Sequence, residues 1–392
     1  MTPYAPSTSR VALETQTQFL TVSREEMLPL SSEWRSLSER GGGRDEPFSQ
    51  PEWFIAYSRA FETNRPIHLV VTRGDGRLKG LIPFVSRSSF FGHVPARTLR
   101  SLSGIHSCRF DLVHGDSEPS EVARDLWSSI REQPNWDVIE ALDVPSDGAF
   151  RQLLTHATKV GFLTATWSTR KSPYLLLPTG NGDPFKNCPA NYKSFRARLP
   201  NKLRKLQQEG AVSFQIHTTD CHQALTQFLA LESSGWKGLK GSSIASDTRL
   251  VHFYSAIVEE LARRGFVRMY SLLLDRQPVA MHLGLAMNKC YYAPKVAYDE
   301  TFARFSPGQI LVHYAIADLT RAGFEKYDFL GPRAVWKSVW TDRVRDHHNC
   351  YIFRPTVRGR CLHALTMKGG QLIRRLRYRV KGDPQRIETD RG

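Results

Sequence analysis

The sequence predicts an α/β protein made of two copies of one fold in tandem. Three observations lead there. The chain has 392 residues, too many for one compact core. The order helix, helix, strand hairpin, helix and Asp-bearing strand occurs twice. The second copy also closes on a legible strand, turn, helix, strand unit over residues 291–331.

In the first copy, residues 11–22 read as a strand and 32–40 as a helix, before the break Gly41-Gly42-Gly43. A second helix starts at Pro51, whose fixed φ suits a first turn. Strands 67–72 and 78–85 follow, joined by the hairpin signal Gly74-Asp75-Gly76. A helix over 121–131 then leads to the strand Trp136-Asp137-Val138-Ile139.

The second copy repeats this plan with helices 224–232 and 250–264, then strands 267–274 and 279–287 joined by Asp275-Arg276-Gln277-Pro278. Residues 291–297 form an aromatic strand. Ser306-Pro307-Gly308 opens a helix with Leu311, Tyr314, Ala315 and Leu319 on one face, and Gly323 ends it. The apolar run 327–330 contains Asp328. A helix start facing a splayed strand suits an anionic donor, so this unit is the expected catalytic core. The basic segment 191–209 lies between the copies, with helix expected from Pro200 onward. The expected division is residues 11–175, a linker at 176–210, a catalytic copy at 211–356 and a basic tail at 357–392. The first and last ten or so residues read as frayed.

The net charge of +16 predicts attraction to polyanions: nucleic acid, membrane phosphates or a phosphorylated cofactor. An Arg-rich proteome with uniformly basic surfaces gives the same total. Clustering favours a specific partner, because Lys193, Arg196, Arg198, Lys202, Arg204 and Lys205 crowd one segment and Arg374, Arg375, Arg377, Arg379 and Lys381 another. Cysteines 108, 188, 221, 290, 350 and 361 are scattered, which predicts reduced structural thiols. His347 and His348 read as a polar loop, and no metal is expected. No apolar run approaches the ~18 residues of a membrane span and the chain start is polar, so a cytoplasmic location without stable membrane insertion is expected.

Three motifs, Glu232-Ser-Ser-Gly-Trp236-Lys237-Gly238, Ala297-Tyr298-Asp299-Glu300 and Ser306-Pro307-Gly308, resemble the acyltransferases of the CelD/BcsL type. These belong to the GNAT superfamily of N-acetyltransferases and are related to the tandem-domain Fem peptidyltransferases. The resemblance implies two GNAT-like domains, each a mixed twisted β-sheet flanked by helices. It makes the C-terminal domain catalytic and the N-terminal one degenerate. It further implies an N-acyltransferase that forms an amide bond on an amine of a small molecule or peptide.

Acyl-CoA-dependent GNAT enzymes carry an Arg/Gln-x-x-Gly-x-Gly/Ala loop whose amides cradle pyrophosphate. Here the loop reads Arg304-Phe305-Ser306-Pro307-Gly308-Gln309, with one glycine and with Pro307 lacking an amide donor. Fem-type relatives have a similar turn and use aminoacyl-tRNA. The expected donor is therefore aminoacyl-tRNA, with acyl-CoA as the alternative and no tightly bound cofactor. Lys193, Arg196, Arg198, Lys202, Arg204 and Lys205 are then the candidate tRNA contacts.

Either donor requires a base for the acceptor ammonium and donors for an oxyanion. Glu232 and Asp299 are the candidate bases, and Tyr298 is the candidate proton donor to the leaving group. Arg304, Ser306, Pro307, Gly308 and Gln309 form the donor turn. Lys237 and Lys295 are placed to hold a carboxylate or phosphate, Trp236 to stack or cap, and Tyr292 to contact substrate. Each has a structural rival: an ion pair of Glu232 with Lys237, a turn shaped by Asp299 and Thr301, and aromatic core for the tyrosines. A non-catalytic GNAT pair that grips RNA or another polyanion, and an accessory of polysaccharide assembly, are the readings from other classes.

Overall fold

The computed structural model describes residues 15–41, 46–91, 93–104, 106–180, 182–235, 238 and 241–367. The first copy runs β1 (Gln16–Val22), α1 (Ser31–Arg40), α2 (Pro51–Phe61), β2 (Ile67–Gly74), β3 (Arg77–Phe91), β4 (Val94–Ser101), β5 (Val113–His114), α3 (Pro119–Glu132), β6 (Val138–Pro145), α4 (Phe150–Lys159) and β7 (Leu163–Leu176). After α5 (Lys193–Leu206) the second copy runs β8 (Val212–His217), α6 (Cys221–Ser234), α7 (Thr248–Arg263), β9 (Met269–Leu274), β10 (Gln277–Met287), β11 (Cys290–Tyr298), α8 (Pro307–Arg321), β12 (Lys326–Asp328), α9 (Val335–Ser338) and β13 (Val344–Phe353).

Among the described residues the strands make one 13-stranded sheet, ordered β1-β2-β3-β4-β6-β13-β7-β12-β11-β10-β9-β8, with β5 paired to β3. The order reads outward from its centre as two matching arms. Each arm is an antiparallel meander ending in one parallel pair, β4 with β6 and β11 with β12. The tandem expectation therefore holds. The two copies are nonetheless one body, because α2 packs on its counterpart α7 through Trp53, Tyr57 and Phe61 around Phe253, with ring centroids 5.3, 6.2 and 5.6 Å apart. Aromatic contacts of this geometry add about 0.5–1.5 kcal/mol each beyond burial.

Several boundaries differ from expectation. β13, expected in the C-terminal copy, lies between β6 and β7 in the first copy's sheet. Its charged start, Val344-Arg345-Asp346, hides the strand pattern, and it carries His347 and His348, so these do not form a loop. The helix expected from Pro200 starts at Lys193 and holds Pro200 inside it. Pro200 is exposed, so the carbonyl of Arg196 that loses its helical donor is tolerated there. Residues 357–367 are helical, and Leu362 packs them on Ala96, Val138 and Phe353, so the first part of the expected tail belongs to the fold. The flanks 1–14 and 368–392 lie outside the described residues.

A bulge bends β11 beside the site. Leu283 and Leu285 of β10 face Lys295 and Tyr292, so β11 fits one extra residue at Ala293-Pro294. Gly284 stands opposite, where an added Cβ would meet the carbonyl oxygen of Arg268 and the hydroxyl of Tyr291. Gly284→Ala is expected to cost about 1–3 kcal/mol through overpacking against backbone. Urea titration measures it, and an unchanged midpoint would mean that the bulge relaxes freely.

Candidate active site at the junction of the two copies

β11 and β12 pair only over Cys290–Tyr292 and Lys326–Asp328, then separate. Beyond Tyr292 the β12-facing edge of β11 has no strand partner among the described residues. The notch so formed exposes backbone polar groups that a substrate can satisfy. The corresponding notch of the first copy is filled by its own chain, since Ser103, Ser107, Arg109 and Phe110 are buried there. That filling segment continues into the second copy's site.

Around Cys108 two groups of side chains meet. On one side are Glu232 at the end of α6, Tyr254 of α7 and Lys295 of β11. Glu232 is 3% exposed and accepts a hydrogen bond from the Ile244 amide at 2.9 Å. The Lys295 ammonium stands 5.6 Å from the centre of the Tyr254 ring. Burial, then Cys108 and Glu232, push the Tyr254 hydroxyl far above its ordinary range, so it stays protonated. His106 faces the same space: burial first and Lys295 second push its imidazole down to about 4, against Asp247 and Glu232. It is neutral at neutral pH. Gly235, just past α6, lies against Glu300 and Tyr298, which joins the far end of β11 to this wall.

On the other side is a buried ionic knot. Arg109 donates to both Glu46 oxygens at 2.8 and 2.9 Å and to the Asp328 carboxylate at 2.7 Å. Asp328 also accepts from the Leu330 amide at 3.0 Å, and Arg345 stands 3.9 Å away. Burial alone would raise the Asp328 carboxyl, but Arg109 and Arg345 hold it below its ordinary range. Lys337 of α9 is 7% exposed and donates to the carbonyls of Leu330 and Pro332 at 2.6 and 3.0 Å. Burial, against the pull of Asp328, lowers its ammonium to about 8. An ammonium has three donors, so one N–H remains for a ligand in the notch.

The expected Ser306-Pro307-Gly308 turn opens α8. Ser306 adopts a left-handed conformation at φ 56° and precedes Pro307 at the start of α8. Tyr298 is 41% exposed with its ring near Gly308, and burial followed by Glu300 raises its hydroxyl. Lys202 of α5 reaches over and donates to the Ser306 hydroxyl at 2.7 Å and the Arg304 carbonyl at 3.3 Å. Burial, then Arg198 and Lys205, lowers the Lys202 ammonium. Those three cations share one face of α5 at i, i+4 and i+7.

Other expected residues have structural partners. Asp299 caps the turn after β11, accepting from the amide and hydroxyl of Thr301 at 2.9 and 2.7 Å. Gln309 donates to the Trp336 carbonyl and accepts from the Trp340 indole, tying α8 to α9. Arg304 pairs with Glu209 at 3.0 Å on the surface. Tyr292 is 2% exposed and forms a wall with Phe48 under Arg109. Arg196, expected to be an exposed phosphate contact, is buried and donates to the carbonyls of Val339 and Pro189, so its guanidinium is engaged within the fold. Lys193, Arg204 and Lys205 are exposed. Trp236 and Lys237 lie outside the described residues. Sequence reasoning missed His106, Arg109, Tyr254 and Lys337. Lys337 alone carried a local signal, as an isolated cation in the aromatic run Trp336-Lys337-Ser338-Val339-Trp340.

The family described as an acetyltransferase (GNAT) domain matches residues 193–338, the stretch holding α5, the notch and Lys337. A comparison with curated proteins found no match. Among solved structures, the fold is similar to FemX, at TM-score 0.54 and 12% identity over 91% of this chain and 99% of that one. It is also similar to the C-terminal domain of a lysylphosphatidylglycerol synthetase from Agrobacterium fabrum, at TM-score 0.52 and 12% identity over 89% and 97%. A conserved protein of unknown function from Bacteroides thetaiotaomicron aligns at TM-score 0.52 and 10% identity over 86% and 100%. No helix among the described residues is long and apolar enough to cross a membrane. Residues 193–338 thus match an acetyltransferase (GNAT) domain, inside a doubled fold similar to that of FemX.

Proposed function

We propose that the enzyme transfers an aminoacyl group from aminoacyl-tRNA to the amine of a small molecule or peptide. The carrying observation is Lys202 seated on a glycine-poor donor turn, flanked by Arg198 and Lys205. Side-chain cations there replace the amide cradle that a pyrophosphate would need, and they suit the phosphates of a nucleic acid end.

In this reading the acceptor ammonium gives its proton to Glu232 and the nitrogen attacks the ester carbonyl. The oxyanion forms near the Lys337 ammonium. As the C–O bond breaks and the amide C–N bond stands, the leaving ribose oxygen takes the Tyr298 proton, and the second proton of the attacking nitrogen returns to the Tyr298 oxygen. His106 and Lys295 border the space that the acceptor enters. An acyl-CoA donor on the same site is the second reading, favoured by the family match to an acetyltransferase domain.

The direct test offers labelled aminoacyl-tRNA and acetyl-CoA separately with a panel of amines. Transfer from the tRNA ester alone supports the proposal, and transfer from acetyl-CoA alone refutes the donor. Arg198→Ala, Lys202→Ala and Lys205→Ala together are expected to raise KM for aminoacyl-tRNA and reduce the log–log salt slope of binding by about 2. An unchanged slope would remove α5 from the tRNA path.

A further inference from the structure

The helix of residues 357–367 is apolar on both faces. Leu362 turns inward onto Phe353 and is fully buried. Outward, Val357, Cys361, Ala364 and Leu365 recur at i, i+4, i+7 and i+8, and all four are exposed, Val357 at 81%. Arg358 and Arg360 flank this stripe. Arg358, half-exposed, pairs with Asp137 at 3.3 Å and donates to the Pro95 carbonyl at 2.5 Å, and Pro95 faces Phe90 across the β3–β4 hairpin. Phe91 turns in against Tyr351 and Phe353, so Phe90 points out and is 71% exposed. Below it, a groove of about 260 Å³ is lined by Arg65, Arg87, Arg97, Ser86 and Ser88, with Arg65 and Arg87 sharing Glu62 and Arg97 paired with Asp137, so that cations outnumber carboxylates there.

We propose that this face docks on an anionic phospholipid bilayer. The apolar stripe and Phe90 enter the headgroup boundary, Arg358 and Arg360 meet the phosphates, and the arginine groove receives a headgroup. In sequence, Lys368, Arg374, Arg375, Arg377, Arg379 and Lys381 follow, with no acidic residue before Asp383, and this basic run adds to the attraction for anionic phosphates. Two other occupants fit less well. Val357 and Leu365 have no π face for stacking on a nucleic acid base. Arginines flanking the stripe repel a second copy of themselves.

The test is co-sedimentation of the full chain with phosphatidylcholine vesicles with and without phosphatidylglycerol. Binding only to the phosphatidylglycerol vesicles is expected, with an about tenfold or greater loss in Val357→Asp/Leu365→Asp and in Phe90→Ser. Melting curves matching the parent chain establish that these surface variants are folded. The proposal is overturned if the parent chain ignores anionic vesicles or if folded variants bind unchanged. It is equally overturned if the parent is a dimer that Val357→Asp/Leu365→Asp splits, or if those substitutions weaken tRNA binding and leave vesicle binding intact.

Discussion

Replacing Arg109 with methionine is expected to destabilise the fold by about 3–5 kcal/mol at neutral pH. Methionine keeps much of the stem volume and removes the guanidinium, which leaves Asp328 and Glu46 with only the more distant Arg345, 3.9 and 3.6 Å away, between them. Asp328 is 2% exposed, so water cannot take over the hydrogen bonds. A surface pair would lose no more than about 1 kcal/mol, so the size of the effect separates the two cases. The pH dependence has a definite sign. In the parent chain the folded Asp328 carboxyl lies below its ordinary value of 3.8, so its contribution is complete above that value and fades as pH falls through the folded one. In the variant, burial acts against only Arg345 and the Leu330 amide and is expected to raise the carboxyl, so the folded form gains protons that the unfolded form lacks. The deficit of Arg109→Met then shrinks as the pH is lowered towards about 4. Denaturant midpoints across this range measure it. A deficit below about 1 kcal/mol, or one that grows on acidification, would show that the knot is not what joins the copies.

What the sequence made legible was local. Gly74-Asp75-Gly76 and Ser306-Pro307-Gly308 announce turns through backbone chemistry, and the aromatic strand and apolar helix between residues 291 and 319 keep their periods. The notch followed from those signals. β4, β7 and β13 were invisible because Val94–Ser101, Leu163–Leu176 and Val344–Phe353 mix small, polar and charged residues without clean alternation. Their place in the sheet depends on pairing with strands far away in the chain. The site failed in the same manner. Arg109 and Asp328 are 219 positions apart, and His106 reaches Lys295 only because the first copy's notch is filled by its own loop. That copy is retained as a wall, which a reading of it as merely degenerate does not convey.

Lys337→Met is expected to lower kcat by about 10²–10³ with whichever donor transfers its label, the usual loss for one oxyanion donor. Two of the Lys337 N–H bonds hold the carbonyls of Leu330 and Pro332, which fixes the ammonium beside the notch. In the proposed mechanism its charge is the feature that the reaction uses. Burial lowers the group to about 8, so kcat falls as pH rises through that value and the ammonium is lost. Lys337→Arg retains charge across this range, so it is expected to keep partial activity and to move the falling limb of the profile upward. Folding gives an independent readout. Between about 8 and the ordinary 10.5 the unfolded chain still holds the proton that the folded chain has released, so this group makes stability rise with pH across that window. Lys337→Met abolishes that slope. A merely structural lysine would show the stability slope and leave the falling limb of kcat where it was in Lys337→Arg, and that outcome would take Lys337 out of the chemistry.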